Sequence, residues 1–314
     1  MRILITDGLE SAAISSLRKS HQVDVQELDP KGLLAAIPGY HALIVRSRTL
    51  VSKAVLATAK NLKVVGRAGV GVDNIDVAEA TARKIVVVNA PIASTVSVAE
   101  LAIGHMLSLL RHLPDADRSV REGKWEKKRL EGRELFGKTL GLVGSGRIGA
   151  EVAKRAQAFG MRVIAYDPYL SPSAANGLGI RLVDKDTVFR EADVVSIHAA
   201  LTPETSGMIS AAEFARMKPG AVLVNCARGE IVQEAALAEA LSSGRLAGAA
   251  VDVFEAEPPV GSPLLAAPNV VFTPHLGAST HEAQARAGST IAEQVLKVLE
   301  GNRPDFLVNP DVYG

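Results

Sequence analysis

The sequence predicts an α/β protein with a doubly wound parallel sheet and a second, smaller α/β domain. Short apolar segments of strand length alternate with segments of helical composition along almost the whole chain, as in parallel sheets with helices on both faces. A glycine-rich turn typical of the centre of a doubly wound sheet comes only at residue 144, so the residues before about position 90 are predicted to form a separate unit. A chain of 314 residues is long enough for two domains.

The N-terminal unit is predicted to contain five strands. They span residues 3–6, 23–28, 42–46, 62–66 and 85–89. Arg46 and Arg67 stand at the ends of the third and fourth strands, and the carboxyl ends of parallel strands face the ligand crevice of such a sheet. A solvated surface arginine is the alternative for each. Because Gly69 and Gly71 are expected to free backbone amides beside Arg67, an anion site is the better interpretation.

The segment 94–112 has apolar residues at helical spacing and is predicted to be a helix that bridges the two units. His105 and His112 lie on it with no carboxylate or cysteine at ligand spacing, so we interpret them as packing or surface histidines. The next segment, 121–133, is rich in lysine and arginine and contains Trp125, the only tryptophan. Such a run is usually a solvated face, and the tryptophan among the cations is the argument for a subunit contact.

The glycine-rich turn lies between a predicted strand at 139–143 and a predicted helix at 150–159. The turn reads Gly144-Ser145-Gly146-Arg147-Ile148-Gly149. Gly144 allows the tight turn, Gly146 lets the backbone approach a pyrophosphate, and Gly149 lets the helix pack closely on the strand. A tight loop is the alternative for an isolated motif, but the flanking strand and helix favour phosphate binding at a helix N-terminus. The motif therefore predicts a Rossmann-type dinucleotide-binding domain.

A carboxylate follows the motif at the position where ribose is usually bound. The predicted strand 162–166 ends at Asp167, 18 residues after Gly149. A negative charge there repels a 2′-phosphate, and Pro168 and Tyr169 provide no arginine to bind one. The expected cofactor is therefore NAD rather than NADP.

The alternation of strands and helices then continues to the end of the chain. Further strands are predicted at 194–198, 221–226, 248–253 and 270–273, with helices at 211–217 and 234–241. A last helix is predicted to begin at Ser279, where Ser279 and Glu282 fit a capping box, and to continue through Leu299.

Three charged residues, Arg228, Glu257 and His275, each follow a predicted strand of the second domain. Oxidation of a secondary alcohol needs a base for the hydroxyl proton, and histidine suits that role when a carboxylate orients it. Arginine binds a carboxylate through two hydrogen bonds. A surface histidine is the alternative for His275 alone, but three complementary residues at one sheet edge favour catalysis. Glu255 competes with Glu257 as the orienting acid, and reasoning from the residues leaves this choice open.

Composition narrows the possible partners. The chain has 35 lysines and arginines against 34 acidic residues, so we expect no binding to nucleic acid or to membranes. The single cysteine, Cys226, excludes an internal disulfide and is interpreted as a buried residue rather than a nucleophile. A reducing, cytoplasmic location and the absence of a metal site are expected.

These motifs together resemble the D-isomer-specific 2-hydroxyacid dehydrogenases. The resemblance covers nearly the whole chain and depends on the glycine turn with its acid and on four further segments: 225–229, 252–254, 257–258 and 274–280. It implies a Rossmann-type NAD-binding domain at 97–281 and a flavodoxin-like substrate domain at 1–96 and 282–314. It also implies a homodimer formed through the cofactor domains, and it selects Glu257 as the partner of His275.

The resemblance assigns residues to each part of the site. The implied catalytic residues are Arg228, Glu257 and His275. The implied cofactor-binding residues are Gly144, Gly146, Arg147, Ile148, Gly149, Asp167, Ala199, Cys226, Asp252, Gly277 and Ala278. The implied substrate-binding residues are Arg46, Ser47, Arg67, Gly69 and Val70.

Within the family, segments 45–47, 67–76 and 123–125 look most like those of members that oxidise D-3-phosphoglycerate to 3-phosphohydroxypyruvate in serine biosynthesis. A glyoxylate or hydroxypyruvate reductase is the first alternative, although a small unphosphorylated acid does not need the second anion clamp of Arg46 and Arg67. An NAD-sensing binding protein similar to transcriptional corepressors is the alternative from another class. Many relatives carry a C-terminal regulatory domain for serine, and we expect no serine feedback through such a domain in this sequence.

Overall fold

The computed structural model describes residues 1–314 and contains twelve strands and twelve α-helices. The strands are β1 (Arg2–Ile5), β2 (Gln22–Val25), β3 (Ala42–Val45), β4 (Val64–Arg67), β5 (Val86–Asn89), β6 (Thr139–Val143), β7 (Arg162–Tyr166), β8 (Arg181–Leu182), β9 (Val194–Ile197), β10 (Val222–Asn225), β11 (Gly248–Val251) and β12 (Val270–Phe272). The helices are α1 (Ser11–Arg18), α2 (Pro30–Ala36), α3 (Lys53–Thr58), α4 (Val77–Ala82), α5 (Thr95–Leu110), α6 (Leu113–Arg121), α7 (Arg147–Ala158), α8 (Pro172–Gly177), α9 (Lys185–Glu191), α10 (Ala211–Arg216), α11 (Glu234–Ser242) and α12 (His281–Leu299).

The chain divides into two compact units. The first comprises Met1–Ser94 with Ala278–Gly314, and the second comprises Thr95–Gly277. The structure thus places the divisions after residues 94 and 277, where the resemblance implied 96 and 281. The predicted bridging helix corresponds to α5, which belongs to the second unit.

The first unit is built on a five-stranded parallel sheet with the order β2-β1-β3-β4-β5. Both faces of this sheet are covered, as its almost entirely apolar strands require. Ile3 and Ile5 of β1 pack on the face that α12 covers, and Leu4 packs on the opposite face. Helix α12 approaches β4 so closely that a Cβ at Gly66 would lie 2.9 Å from a methyl carbon of Val295.

The second unit contains a seven-stranded parallel sheet with the order β12-β11-β10-β9-β6-β7-β8. The chain enters at β6, continues outward through β7 and β8, and then crosses to β9 on the other side of β6. The carboxyl ends of β6 and β9 therefore flank the point where the direction of winding changes, and ligands of open α/β sheets bind at such a point. Leu140 packs on the face covered by α5 and α7, and Val143 packs on the other.

The predicted fold class is confirmed: both sheets are parallel and covered by helices. The predicted start of the last helix was wrong. Thr280, not Ser279, is the N-cap, and its hydroxyl accepts a hydrogen bond from the amide of Ala283, so the expected capping box with Glu282 does not form. The sequence also missed β8, a strand of two residues at the sheet edge, together with the short helices α6, α8 and α9. No helix of the structure is both long enough and apolar enough to span a bilayer.

Candidate active site

The glycine-rich turn connects β6 to α7, and at two of its positions no side chain can be accommodated. Gly144 has a φ of +89°, and a Cβ on it would lie 2.7 Å from the amide nitrogen of Ala199, after β9. A Cβ on Gly149 would lie 2.5 Å from the carbonyl oxygen of Gly144. In contrast, no atom lies within 4 Å of a Cβ built on Gly146. Gly144 and Gly149 thus allow close packing, while Gly146 leaves open space above the turn.

The N-terminus of α7 is suited to bind an anion. Gly146 is its N-cap and provides no side chain to accept hydrogen bonds from the first amides. Arg147 is exposed at the first helical position and Ile148 is half-buried behind it. Free amides at a helix N-terminus attract phosphate groups, so these residues fit the pyrophosphate of a dinucleotide such as NAD.

Asp167 fastens the glycine-rich turn to the end of β7. Its Oδ2 accepts a hydrogen bond of 2.7 Å from the amide of Ser145, and its Oδ1 accepts from the amides of Tyr169 and Leu170 at 2.9 and 3.2 Å. The carboxylate thus orders the loops on which a ribose would lie, a function that sequence reasoning did not foresee. Its binding of the ribose hydroxyls stays a prediction.

His275 and Glu257 are in direct contact at the carboxyl edge of the seven-stranded sheet. Nδ1 of His275 lies 2.8 Å from Oε2 and 3.1 Å from Oε1 of Glu257. Burial raises the pKa of Glu257, but the hydrogen bond and charge of His275, the Phe254 amide and the charge of Arg228 outweigh it and hold the pKa below its ordinary value. An ionised carboxylate can only accept a hydrogen bond, so Nδ1 of His275 carries the proton that it donates to Glu257, and Nε2 is the nitrogen available as a base.

The structure decides between the two glutamates that the residues alone left open. Oε1 of Glu255 accepts a hydrogen bond from the amide of Glu234, and the Glu255 amide donates to the Glu234 carboxylate. Glu255 is therefore engaged at the start of α11, whereas Glu257 contacts His275. The cis peptide bond between Glu257 and Pro258 is part of this loop.

A cavity of about 360 Å³ adjoins the histidine and glutamate pair. Its lining is otherwise mostly apolar and includes Phe254, Pro258, Leu265 and Phe272. The pair itself is 46% and 41% exposed, so solvent still screens the interaction between an imidazolium and the carboxylate.

Asp252 holds the loop that carries His275. This carboxylate is only 1% exposed and accepts hydrogen bonds from the Thr273 hydroxyl and the amides of Leu276 and Gly277, at 2.5, 2.7 and 2.9 Å. Its carbonyl oxygen also accepts a hydrogen bond from the amide of His275 at 2.8 Å. The implied position of Asp252 near the nicotinamide stays a prediction, but its role in shaping the loop is visible in the structure.

His105 extends this network from α5. Its Nε2 lies 3.1 Å from the hydroxyl of Thr273, which bonds to Asp252. Burial lowers the pKa of His105, an effect that the charge of Asp252 opposes without cancelling. His105 is thus a buried packing residue, as predicted, but it also supports the loop of His275. No sequence pattern could have shown this, since 168 positions separate His105 from Thr273.

Arg228 follows β10 and begins a short turn of 3-10 helix, Gly229–Ile231. The side chain of Asn225 holds the loop, because it donates to the carbonyl of Arg228 at 2.9 Å and accepts from the amide of Ala227 at 3.0 Å. The charge of Arg228 contributes to the lowered pKa of Glu257. The structure thus brings Arg228, Glu257 and His275 to one sheet edge, and it buries Cys226 beside them with a raised pKa, caused mainly by burial.

The remaining cofactor candidates lie in loops after the strands. Ala199 adjoins Gly144, and Gly277 is buried, with its amide bonded to Asp252. Ala278 begins the last segment of the first unit, and its carbonyl oxygen accepts a hydrogen bond of 2.6 Å from the side chain of Gln284.

In the first unit, the substrate candidates occupy two loops after β3 and β4. Arg46 is half-buried and Ser47 is exposed. The guanidinium of Arg67 lies against Gly69, where a Cβ would come within 1.4 Å of Nη1. The Gly69 amide donates to the Arg67 carbonyl at 2.8 Å, so the expectation that it is free for an anion was wrong. Glycine is required at this position because a side chain would collide with the Arg67 guanidinium. The carbonyl oxygen of Val70 accepts a hydrogen bond from the side chain of Asn89 at 2.6 Å.

Comparisons with known proteins agree on one family. Residues 103–277 match the family described as D-isomer specific 2-hydroxyacid dehydrogenase, NAD binding domain. The D-3-phosphoglycerate dehydrogenase of Methanocaldococcus jannaschii is 50% identical over 311 residues, which cover 98% of this chain and 59% of that protein. The enzyme of the same name from Bacillus subtilis is 44% identical and is matched over 96% of this chain and 57% of its own length. The chain therefore spans less than two thirds of these relatives.

Solved structures share the fold of this chain. The TT0316 protein from Thermus thermophilus superposes with a TM-score of 0.91 at 39% identity, covering 98% of this chain and 100% of that one. A glyoxylate reductase from Paecilomyes thermophila superposes with a TM-score of 0.90 at 31% identity, covering 98% of both chains.

Proposed function

The chain belongs to the D-isomer-specific 2-hydroxyacid dehydrogenase family, and from this premise we propose that it oxidises D-3-phosphoglycerate to 3-phosphohydroxypyruvate. The observation that carries the proposal is the 2.8 Å contact between His275 and Glu257, at the sheet edge that also carries the glycine-rich turn. NAD, when bound, supplies the hydride acceptor. The first unit is then the substrate domain and the second the cofactor domain.

His275 is the base in this proposal. Loss of a hydride from C2 of the substrate leaves the hydroxyl proton to be removed, and Nε2 of His275 accepts it, forming an imidazolium. Glu257 holds the ring through Nδ1 and stabilises the imidazolium charge. Arg228 binds the substrate carboxylate and polarises the neighbouring oxygen.

Residues of the first unit bind the phosphate. Arg46 and Arg67 supply positive charge and paired N–H donors, which suit the three oxygens of a phosphate monoester. Ser47 adds a hydroxyl donor. Gly69 and Val70 belong to the loop after Arg67, and the Arg67 guanidinium lies against Gly69. The names of the half-identical relatives support this choice of substrate.

Cofactor choice and location complete the proposal. The Asp167 carboxylate, which is bonded to the glycine-rich turn, is expected to lie where NADP would have its 2′-phosphate. Its negative charge favours NAD. Cys226 is buried and forms no disulfide, in keeping with a location in the cytoplasm.

A homodimer is also proposed. Large apolar side chains are exposed in α6 and in the segment between it and β6: Val120 is 57%, Trp125 84% and Phe136 76% exposed. Large apolar groups of this kind are enriched in subunit interfaces. Size-exclusion chromatography with light scattering measures the molar mass in solution and tests this proposal. Trp125→Lys is expected to increase the monomer fraction, and a monomeric wild-type protein would refute the proposal.

The experiment for the activity is an NADH-formation assay across D-3-phosphoglycerate, D-glycerate, D-lactate and glycolate, with NADP as the alternative acceptor. We expect a clear preference for the phosphorylated acid and for NAD. His275→Ala should lower kcat by about 10²- to 10⁴-fold, and the matched control His112→Asn should keep full activity.

Two outcomes would favour another function. The neighbour described as a glyoxylate reductase makes reduction of small 2-oxo acids the second candidate, and equal use of glycerate and phosphoglycerate would support it. Negligible turnover of every acid, together with tight NADH binding, would instead support a cofactor-sensing protein.

A further inference from the structure

The loop 46–49, which carries Arg46 and Ser47, is held by two side chains that are distant from it in sequence. Asp7 follows β1, and Asn74 lies in the loop between β4 and α4. Each side chain forms hydrogen bonds with both ends of the loop, Arg46 and Thr49. Asp7 accepts hydrogen bonds from the two backbone amides, and Asn74 donates hydrogen bonds to the two backbone carbonyl groups.

The side chain of Asp7 is only 3% exposed, and its carboxylate accepts four hydrogen bonds. Oδ2 accepts from the amides of Arg46 and Thr49 at 2.8 and 3.0 Å. Oδ1 accepts from the Thr49 hydroxyl at 2.6 Å and from Nε of Arg48 at 3.4 Å. Burial raises the pKa of Asp7, but these hydrogen bonds together hold it below its ordinary value. The carboxylate is therefore ionised at neutral pH and fully used within the loop.

Asn74 also holds the loop 46–49, through the carbonyl groups of its two end residues. Its Nδ2 donates to the carbonyl oxygens of Arg46 and Thr49 at 2.8 and 2.7 Å. The backbone carbonyl oxygen of Asn74 accepts a hydrogen bond from the amide of Val51 at 2.8 Å. Arg46 is consequently fixed through its amide by one side chain and through its carbonyl by the other.

The two arginines of this loop differ in what they can offer a ligand. Arg48 is paired with Asp7 at 3.4 Å and with Glu27 at 3.3 Å. The guanidinium of Arg46 pairs with no carboxylate of the structure, so its charge is available to an external anion. A fixed backbone with one unpaired cation is a preorganised anion site, since binding then requires little ordering of the loop.

We propose that Asp7 and Asn74 are positioning residues for substrate recognition, which hold the loop 46–49 in the conformation in which Arg46 and Ser47 bind the phosphate monoester of the substrate. This inference rests on the proposed function. Neither residue touches the substrate, and both act through the backbone of Arg46. Their effect must therefore fall on the phosphate and spare the cofactor.

The test compares Asn74→Ala and Asp7→Asn with the wild-type enzyme, using kcat and KM for D-3-phosphoglycerate and D-glycerate and KM for NAD. Asp24→Asn is the matched control, because Asp24 is a carboxylate of the same unit that bonds to Arg2 and Tyr40 instead. Each positioning variant is expected to raise KM for phosphoglycerate about tenfold, the effect of losing one or two hydrogen bonds. KM for NAD and the constants for glycerate should not change.

The outcomes separate the inference from the proposed function. An equal loss with both acids, or no loss with either, would overturn the inference, since a general structural defect does not discriminate. Should the wild-type enzyme not prefer the phosphorylated acid, the proposed function fails, and calorimetric titration with inorganic phosphate decides the inference. Weaker phosphate binding by Asn74→Ala than by wild type supports it; equal affinity, or no binding by wild type, overturns it.

Discussion

Replacement of Glu257 by glutamine tests the contribution of the carboxylate to proton transfer. When His275 accepts the substrate proton, the imidazolium lies 2.8 Å from a full negative charge. Both side chains are more than 40% exposed, at 46% and 41%, so a dielectric of about 40 to 80 applies and the attraction is about 1.5 to 3 kcal/mol. Glutamine keeps the shape and a hydrogen-bond acceptor but removes this charge.

We expect Glu257→Gln to lower kcat by about 10- to 100-fold, because each 1.36 kcal/mol of lost transition-state stabilisation costs a factor of about ten. KM for NAD should stay unchanged.

The measurement is the steady-state rate of NADH formation at saturating D-3-phosphoglycerate and NAD. Glu255→Gln is the control, because Glu255 bonds to the amide of Glu234 and not to His275. Equal losses in the two variants, or an unchanged rate in Glu257→Gln, would refute the reasoning.

Three further predictions concern packing, reactivity and acid stability. Gly149→Ala places a Cβ 2.5 Å from a backbone oxygen, so it should lower the free energy of unfolding in urea by about 1 to 3 kcal/mol and weaken NADH binding. Gly104→Ala in α5 meets no atom within 4 Å, so it should raise the free energy of unfolding by about 0.5 to 1 kcal/mol. If both variants bind NADH as wild type does, the packing argument fails. Burial raises the pKa of the Cys226 thiol, so an aromatic disulfide reagent at pH 7 should modify native protein far more slowly than unfolded protein; equal rates would contradict this. The folded-state pKa of Asp7 lies below its ordinary 3.8, so its stabilisation is complete above that pH and is lost as the pH falls through the folded value. The stability difference between wild type and Asp7→Asn should therefore shrink below about pH 4, and a constant difference down to pH 2 would argue against the ion's role.

Most of the fold could be predicted because its determinants are local. Strand β7 was predicted with the bounds that the structure has, since an apolar run between a glycine and a proline leaves little choice of limits. Strand β8 was missed because Arg181 and Leu182, a pair at a sheet edge, carry no periodic pattern. The start of α12 was misplaced by one residue, because Ser279 and Thr280 are both good caps and the backbone geometry selects Thr280.

The candidate site was predicted in its composition but not in its support. The residues identified His275 and Arg228 from their positions after strands. They could not identify the role of Asp7, of Asn74, or of His105, because each acts through a loop far along the chain. Asn74 lies within the segment 67–76 that carries the resemblance, but its contact with Arg46 does not follow from that motif.

By itself the sequence determined the α/β class, the glycine-rich turn and the residue types needed to move a proton beside a dinucleotide. Apolar periodicity and the steric freedom of glycine are properties of a few consecutive residues, so they can be read without coordinates. The tertiary structure shows that Glu257 rather than Glu255 meets His275, a choice that the residues alone left open and the family resemblance implied. Only the tertiary structure decided that Asp7 and Asn74 enclose the loop of Arg46. The physical reason is that hydrogen bonds act over about 3 Å, and which distant segments come within that range depends on the spatial order of the strands in each sheet.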